Sequence, residues 1–227
     1  WEKTGTWEVD KAKYPNELKA ISEYAHNNNT GLIVWFEPER VMPDTWLYNN
    51  HPEWLFGEGL DWPWYGVKLL NLGDPNALHW LIEHSDKMIK EQGIDVYRLD
   101  FNANPLAPWR KNDPVDRKGI SEIRYVEGFL HFYDELLRRN PNLLIDNCSS
   151  GGRRNDLETM RRSVPLWRSD YIEPVGKQCQ TYGLSFWLPY QGTAAPPNNL
   201  YSFRSGMNVA IAAGLDINQQ GLDWELI

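Results

Sequence analysis

Apolar positions along this chain alternate between helical spacing and short uninterrupted runs. Leu18, Ile21, Tyr24 and Ala25 recur at helical intervals and predict a helix over 16–28 with that face inward. Leu32-Ile33-Val34-Trp35-Phe36 comes next as an apolar run of strand length, which predicts a buried strand. Asp74 as cap and Pro75 in the first turn open a helix over 75–92. Gly93 ends it, and a strand runs from Ile94 to Leu99. A helix over 120–139 leads to a strand at 143–145, and a short helix over 154–162 to a strand at 164–169. A helix at 176–183 precedes a strand near 184–190, and a helix at 199–213 precedes a last strand near 212–217.

Strands separated by helices imply parallel βαβ units, hence an α/β fold. Six such units succeed one another without a dinucleotide fingerprint. That favours a (β/α)8 TIM barrel, with a doubly wound sheet as the alternative. The whole of 1–227 reads as a single barrel domain.

The chemistry-bearing residues cluster at the strand ends. The first strand ends in Glu37-Pro38-Glu39-Arg40 and the second in Arg98-Leu99-Asp100-Phe101-Asn102. The third ends in Asp146-Asn147-Cys148-Ser149-Ser150-Gly151-Gly152-Arg153-Arg154 and the fourth in Arg168-Ser169-Asp170-Tyr171. Apolar strands that each terminate in charged residues place those residues on one rim. In a parallel barrel that rim is the C-terminal mouth, where active sites lie. Arg98 and Asp100 are two apart and project to the same side, so a guanidinium favours the ionised carboxylate that a nucleophile needs. Trp167 and Tyr171 flank Asp170, and partial desolvation there would favour the protonated form of a general acid.

Twelve Trp and eleven Tyr give the chain an unusual share of rings that stack on sugar faces. About half are expected to be core, but Asp61-Trp62-Pro63-Trp64-Tyr65-Gly66 reads as cleft wall. Carboxylates at a mouth lined by Trp suggest glycoside cleavage, in which the gap between two carboxylates decides retention or inversion. A net charge of −8 argues against a nucleic-acid partner, and no apolar run is long enough to span a bilayer. Cys148 and Cys179 are too few for a disulfide framework, and the five His show no zinc-ligand spacing. No metal or other cofactor is expected. The expected partner is a glycoside or oligosaccharide, with homo-oligomer formation open in the full-length protein; the compartment is undecided.

The stretches GLIVWFEPERV, HPEWL, VYRLDFN, DNCSSGGRRNDLE and WRSDY, in that order, resemble glycoside hydrolase family 36 across essentially the whole chain. The resemblance implies a retaining α-galactosidase with Asp100 as nucleophile and Asp170 as acid/base. It implies that Trp35 and Arg98 contact the sugar and that Asn102 helps order the site. The turn from Cys148 to Gly151 would line the pocket at the sugar's 2-position, with Trp167 beside Asp170. Many members have Lys-Trp-Asp where this chain has Arg98-Leu99-Asp100, and Arg presents a planar fork where Lys presents a point charge. The family's paired-carboxylate strand end, which grips the 4- and 6-hydroxyls, is expected just before Trp1.

Residues 1–15 read as a loop entering a barrel helix, and Asp223-Trp224-Glu225-Leu226-Ile227 as the start of another. The expectation is therefore an incomplete barrel, lacking its first two strands, its C-terminal end and the family's flanking β-sandwiches. Alone, such a chain is not expected to turn over substrate. Alternatives on the same residues are an α-N-acetylgalactosaminidase, a transglycosylase or a catalytically inactive sugar-binding barrel. A metal-dependent isomerase would need strand-end His ligands, which the pattern does not offer.

Overall fold

The computed structural model describes residues 3–57, 60, 66–195 and 200–213. Residues 61–65 of the expected cleft wall, and 214–227 with the end of the expected last strand, lie outside the described residues. The chain forms two compact units, Trp1–Ile145 and Asp146–Ile227, each with α/β architecture.

In the first unit, residues 3–18 form turns and no strand. Helix α1 (Lys19–Asn27) leads to strand β1 (Ile33–Phe36). Short elements come next: β2 (Arg40–Val41), α2 (Trp46–Asn50), a 3-10 turn at Pro52–Trp54, β3 (Leu55–Phe56) and β4 (Lys68–Leu70). Then come α3 (Pro75–Gln92), β5 (Val96–Leu99), α4 (Leu106–Asn112) and α5 (Ile120–Arg139). Strand β6 (Leu144–Asn147) begins here and runs into the second unit. β1 and β5 pair in parallel from Ile33 opposite Val96 to Phe36 opposite Leu99. β6 takes the other side of β5, its Leu144 N–H on Asp95 O at 3.0 Å. A separate antiparallel sheet has the order β2-β4-β3.

The long helices form where the sequence pattern places them. Asp74 accepts from Asn76 N–H and Ala77 N–H at 2.8 and 3.2 Å, satisfying donors at the start of α3. On α5 the buried residues are Tyr125, Gly128, Phe129, Phe132, Tyr133 and Leu136, which is helical spacing for one face. They pack into a core with Leu69, Leu81, Ile82, Tyr97, Leu99 and Ile145. Burial of each large side chain stabilises by about 1.5–3 kcal/mol.

α1 departs from expectation. Tyr24 is 73% and Ile21 43% exposed, while Ser22 is buried and Leu18 and Ala25 are half-buried. The inward face is thus 18, 22, 25. A small residue is required there because Gly93 lies against Ser22.

Asp113 caps α5 from the preceding loop, accepting from Gly119 N–H at 2.7 Å and Ser121 N–H at 2.9 Å. Those two backbone donors hold its carboxyl down to about 2. The folded value lies below that of the unfolded chain. Its contribution is therefore complete above about pH 4 and lost as pH falls through the folded value. Asp113→Ala is expected to melt earlier than wild type near neutral pH, with the gap narrowing below about pH 4. Thermal melts across pH check this; a gap independent of pH would contradict it.

In the second unit, Asp146 bridges in parallel to Val164. The strand expected at 164–169 does not form: beyond the bridge at Val164 the chain turns at 166–167, held by Gly192 N–H on Pro165 O and Arg168 N–H on Gly192 O, at 2.9 and 3.1 Å. Helices α6 (Leu157–Met160), α7 (Pro174–Leu184) and α8 (Leu200–Gly206) alternate with strands β7 (Gly192–Ala194) and β8 (Ala210–Ala212). β7 and β8 are parallel. Three further expectations are corrected here. The strand lies at 192–194 and not near 184–190, where Trp187 and Leu188 N–H bond back to Leu184 O in a turn. The helix expected over 199–213 ends at Gly206, because 210–212 is needed as the partner of β7. The helix expected over 154–162 is a single turn, capped by Asp156 on Thr159 N–H at 3.0 Å.

Candidate active site

Asp100 comes directly after β5. Its N–H continues the ladder to Phe36 O at 2.8 Å, which ties its backbone to the end of β1. The side chain is 8% exposed. Oδ1 accepts from Phe101 N–H at 2.8 Å, and Oδ2 accepts from the Trp35 indole N–H at 3.3 Å. Trp35 and Arg98 are register partners on β1 and β5, so both stand in the row leading to Asp100. Trp35 is in turn fixed by Trp7, edge-on at 6.1 Å between ring centroids. Asn102 is half-buried, and its N–H donates to Glu37 Oε1 at 2.9 Å.

Sequence reasoning placed Glu37, Glu39 and Arg40 on a rim. The structure buries all three completely. Glu37 Oε2 accepts from Arg40 Nη2 at 2.5 Å, and Glu39 Oε2 accepts from the Tyr125 hydroxyl at 2.6 Å. Burial pushes the Glu37 carboxyl above the usual carboxylate range, while Arg40 and the Asn102 N–H pull it down. A run such as EPER reads as solvated surface. The partners that allow its burial are 65 and 86 positions away in sequence.

In the second unit, Asp170 Oδ1 accepts from the Trp167 indole N–H at 3.0 Å. The expected desolvation of Asp170 is not found: the residue is exposed, and Tyr171 is 59% exposed with its ring lying against Gly176 of α7. What holds Asp170 is the backbone beneath it. Gly151 has φ +78°, and a Cβ there would stand 2.7 Å from Asp170 N. Only glycine lets the two chain segments approach so closely. Cys148, at the start of that turn, is buried, and neither Cys148 nor Cys179 is in a disulfide.

Arg168, two residues before Asp170, is the hub of this unit, a role its sequence surroundings do not signal. It is 1% exposed and donates to Gln191 Oε1 at 2.9 Å, Lys177 O at 2.7 Å and Thr181 Oγ1 at 2.8 Å. Asn155 Nδ2 donates to Arg168 O at 3.2 Å. Burial lowers the basicity of the guanidinium. Three of its acceptors sit on α7 or just before β7, so the segment carrying Asp170 is pinned to both.

Among the described residues no group of three or more His, Cys, Asp or Glu side chains is arranged to hold a metal ion. No helix among them is long and apolar enough to cross a membrane.

The Melibiase family model matches residues 2–214. The α-galactosidase of Lactobacillus acidophilus is 29% identical over 187 residues, covering 82% of this chain and 26% of that protein. The crystal structure of the α-galactosidase from Lactobacillus brevis superposes with a TM-score of 0.84 at 25% identity, over 100% of this chain and 32% of that one. AgaA from Geobacillus stearothermophilus, solved in complex with stachyose, shares the fold with a TM-score of 0.80 at 23% identity, over 92% of this chain and 31% of that one. The chain thus spans about a quarter to a third of the length of these relatives. With the motifs, the fold and the family model in agreement over nearly all of its residues, the chain belongs to the Melibiase family, as its resemblance to glycoside hydrolase family 36 implied.

Proposed function

We propose that this chain holds the reacting carboxylates of a retaining α-galactosidase, in βα units belonging to one (β/α)8 catalytic barrel domain. Asp100 is the nucleophile and Asp170 the acid/base. Trp35, Arg98, Asn102, Cys148, Gly151 and Trp167 line the sugar site. One observation supports this most directly: each candidate carboxylate accepts an indole N–H on one oxygen, Asp100 from Trp35 and Asp170 from Trp167. An indole so placed fixes the carboxylate rotamer and sets an apolar ring beside it, ready to stack on a pyranose. The stachyose complex of AgaA supports α-galactosides of the raffinose type as substrates.

In the first step Asp100 attacks the anomeric carbon while Asp170 gives its proton to the departing oxygen. The bond from carbon to the aglycone breaks as the bond to Asp100 forms. In the second step Asp170 takes a proton from water, which displaces Asp100 from the same face. Two inversions give retention. Proton NMR of the native polypeptide hydrolysing 4-nitrophenyl α-galactoside should therefore show α-galactose first, with the β-anomer growing in by mutarotation. If β-galactose is formed first, the double displacement is wrong.

A further inference from the structure

The strand β1 ends at Phe36, and Pro38 has no N–H with which to continue a ladder. Yet the pairing between β1 and the segment after β5 goes on for two more residues. Asp100 N–H takes Phe36 O, and Asn102 N–H takes the side chain of Glu37 in place of a main-chain carbonyl. A carboxylate thereby extends the sheet across the turn Asp100-Phe101-Asn102. Its second oxygen is anchored on Arg40, whose Nη1 also reaches Met42 Sδ at 3.3 Å. The Glu37 and Arg40 side chains are sealed from solvent. A buried charge is costly unless paired, and side chains that only pair with each other can be replaced by apolar ones at little loss. Glu37 differs, because one of its oxygens is given to the backbone that carries Asp100.

We infer that Glu37 is a positioning residue for Asp100: its carboxylate clamps Asn102 N–H and so fixes the turn that aims the Asp100 carboxylate at the anomeric carbon. This rests on the reading of Asp100 as nucleophile. Glu37 itself touches no reacting atom. It determines the reach of Asp100, and misplacement of a reacting group by about 1 Å can cost on the order of 100-fold in rate.

The test is a double-variant cycle in the native polypeptide, read with 4-nitrophenyl α-galactoside. Glu37→Gln keeps an acceptor near Asn102 but gives up the charged pairing with Arg40. It is expected to lower kcat by roughly 10- to 100-fold with KM changed much less. Glu37→Asp, shorter by one carbon but still charged, should lie between; it also serves if Glu37→Gln does not fold. The decisive arm uses Asp100→Gly with added azide, which enters in place of the missing carboxylate. There, adding the Glu37 substitution should change the azide-rescued rate by less than about twofold, since no carboxylate remains to be aimed. A full, additive loss in that background would show that Glu37 serves only general packing and would overturn the inference. So would a Glu37→Gln enzyme with wild-type kcat, or a loss confined to KM. If azide fails to rescue an Asp100→Gly protein that melts like wild type and has Glu37 intact, it is the nucleophile assignment that falls, and this inference falls with it.

Discussion

Asp100→Asn is expected to fold like the wild-type protein and to lose turnover by on the order of 10⁴-fold or more, the scale on which loss of an essential nucleophile acts. The substitution is chosen for what it preserves. Asp100 Oδ1 accepts from Phe101 N–H, and the amide oxygen of asparagine can do the same in the same volume. Asp100 Oδ2 accepts from the Trp35 indole, and this contact is the one the amide group disturbs. An exposed loop aspartate would tolerate either change. Asp100 is nearly buried, so Asp100→Ala would leave a backbone N–H without its acceptor and mix a folding defect into the kinetics. The checks are kcat on 4-nitrophenyl α-galactoside and a thermal melt on the same sample. An Asn variant that melts normally and keeps more than a few per cent of wild-type kcat would remove Asp100 from the mechanism.

The parts of this molecule that could be read from sequence share a physical feature: their signals are local. α3 and α5 are framed by a capping aspartate or a clean helical stripe, and each occupies the span its pattern predicts. β1 and β5 are apolar runs that stop at charge, and the stop is where Asp100 stands. The misplaced strand shows the converse. Residues 184–190 contain Phe186, Trp187, Leu188 and Tyr190, the residue types that strands favour, yet they form a turn. The real strand, Gly192-Thr193-Ala194, has a single residue of a type that strands favour, Thr193. It is a strand because it pairs with β8, and residue 192 must be glycine because Leu166 O lies 2.3 Å from where a Cβ would be. The sheet β2-β4-β3 consists of pairs two residues long, too short to show a period. In the proposed site, the places of Trp35, Asp100 and the Gly151 turn along the fold could be read ahead because motif and strand end coincide. Glu37 and Arg168 were not, because what makes each important is a partner elsewhere: Asn102 for one, Gln191 and α7 for the other. Charge in a sequence signals solvent until its partner is known.

Asp170→Ala should separate substrates by leaving group. Nitrophenolate departs without help, whereas a sugar hydroxyl must be protonated as the bond breaks. General acid catalysis of that kind contributes about 10²- to 10⁴-fold. The Ala variant is therefore expected to lose on that order with raffinose and at least ten times less with 4-nitrophenyl α-galactoside. The surroundings of Asp170 make the experiment clean. Its side chain is exposed and accepts a hydrogen bond from Trp167, so truncation leaves no cavity and strands only an indole N–H on a half-buried ring. The backbone of Asp170 is held independently by the Gly151 turn. Arg168 pins the preceding segment to α7 through Lys177 O and Thr181 Oγ1. Loss of the carboxyl should therefore remove the proton donor and leave the mouth in place. The second step also needs Asp170, as base, so with the activated substrate the glycosyl-enzyme should accumulate. Azide, which attacks without a base, should then raise the rate and yield α-galactosyl azide, with retained configuration. Equal losses on both substrates, with no response to azide, would mean that another group carries the proton and that the exposed Asp170 only holds the Trp167 ring.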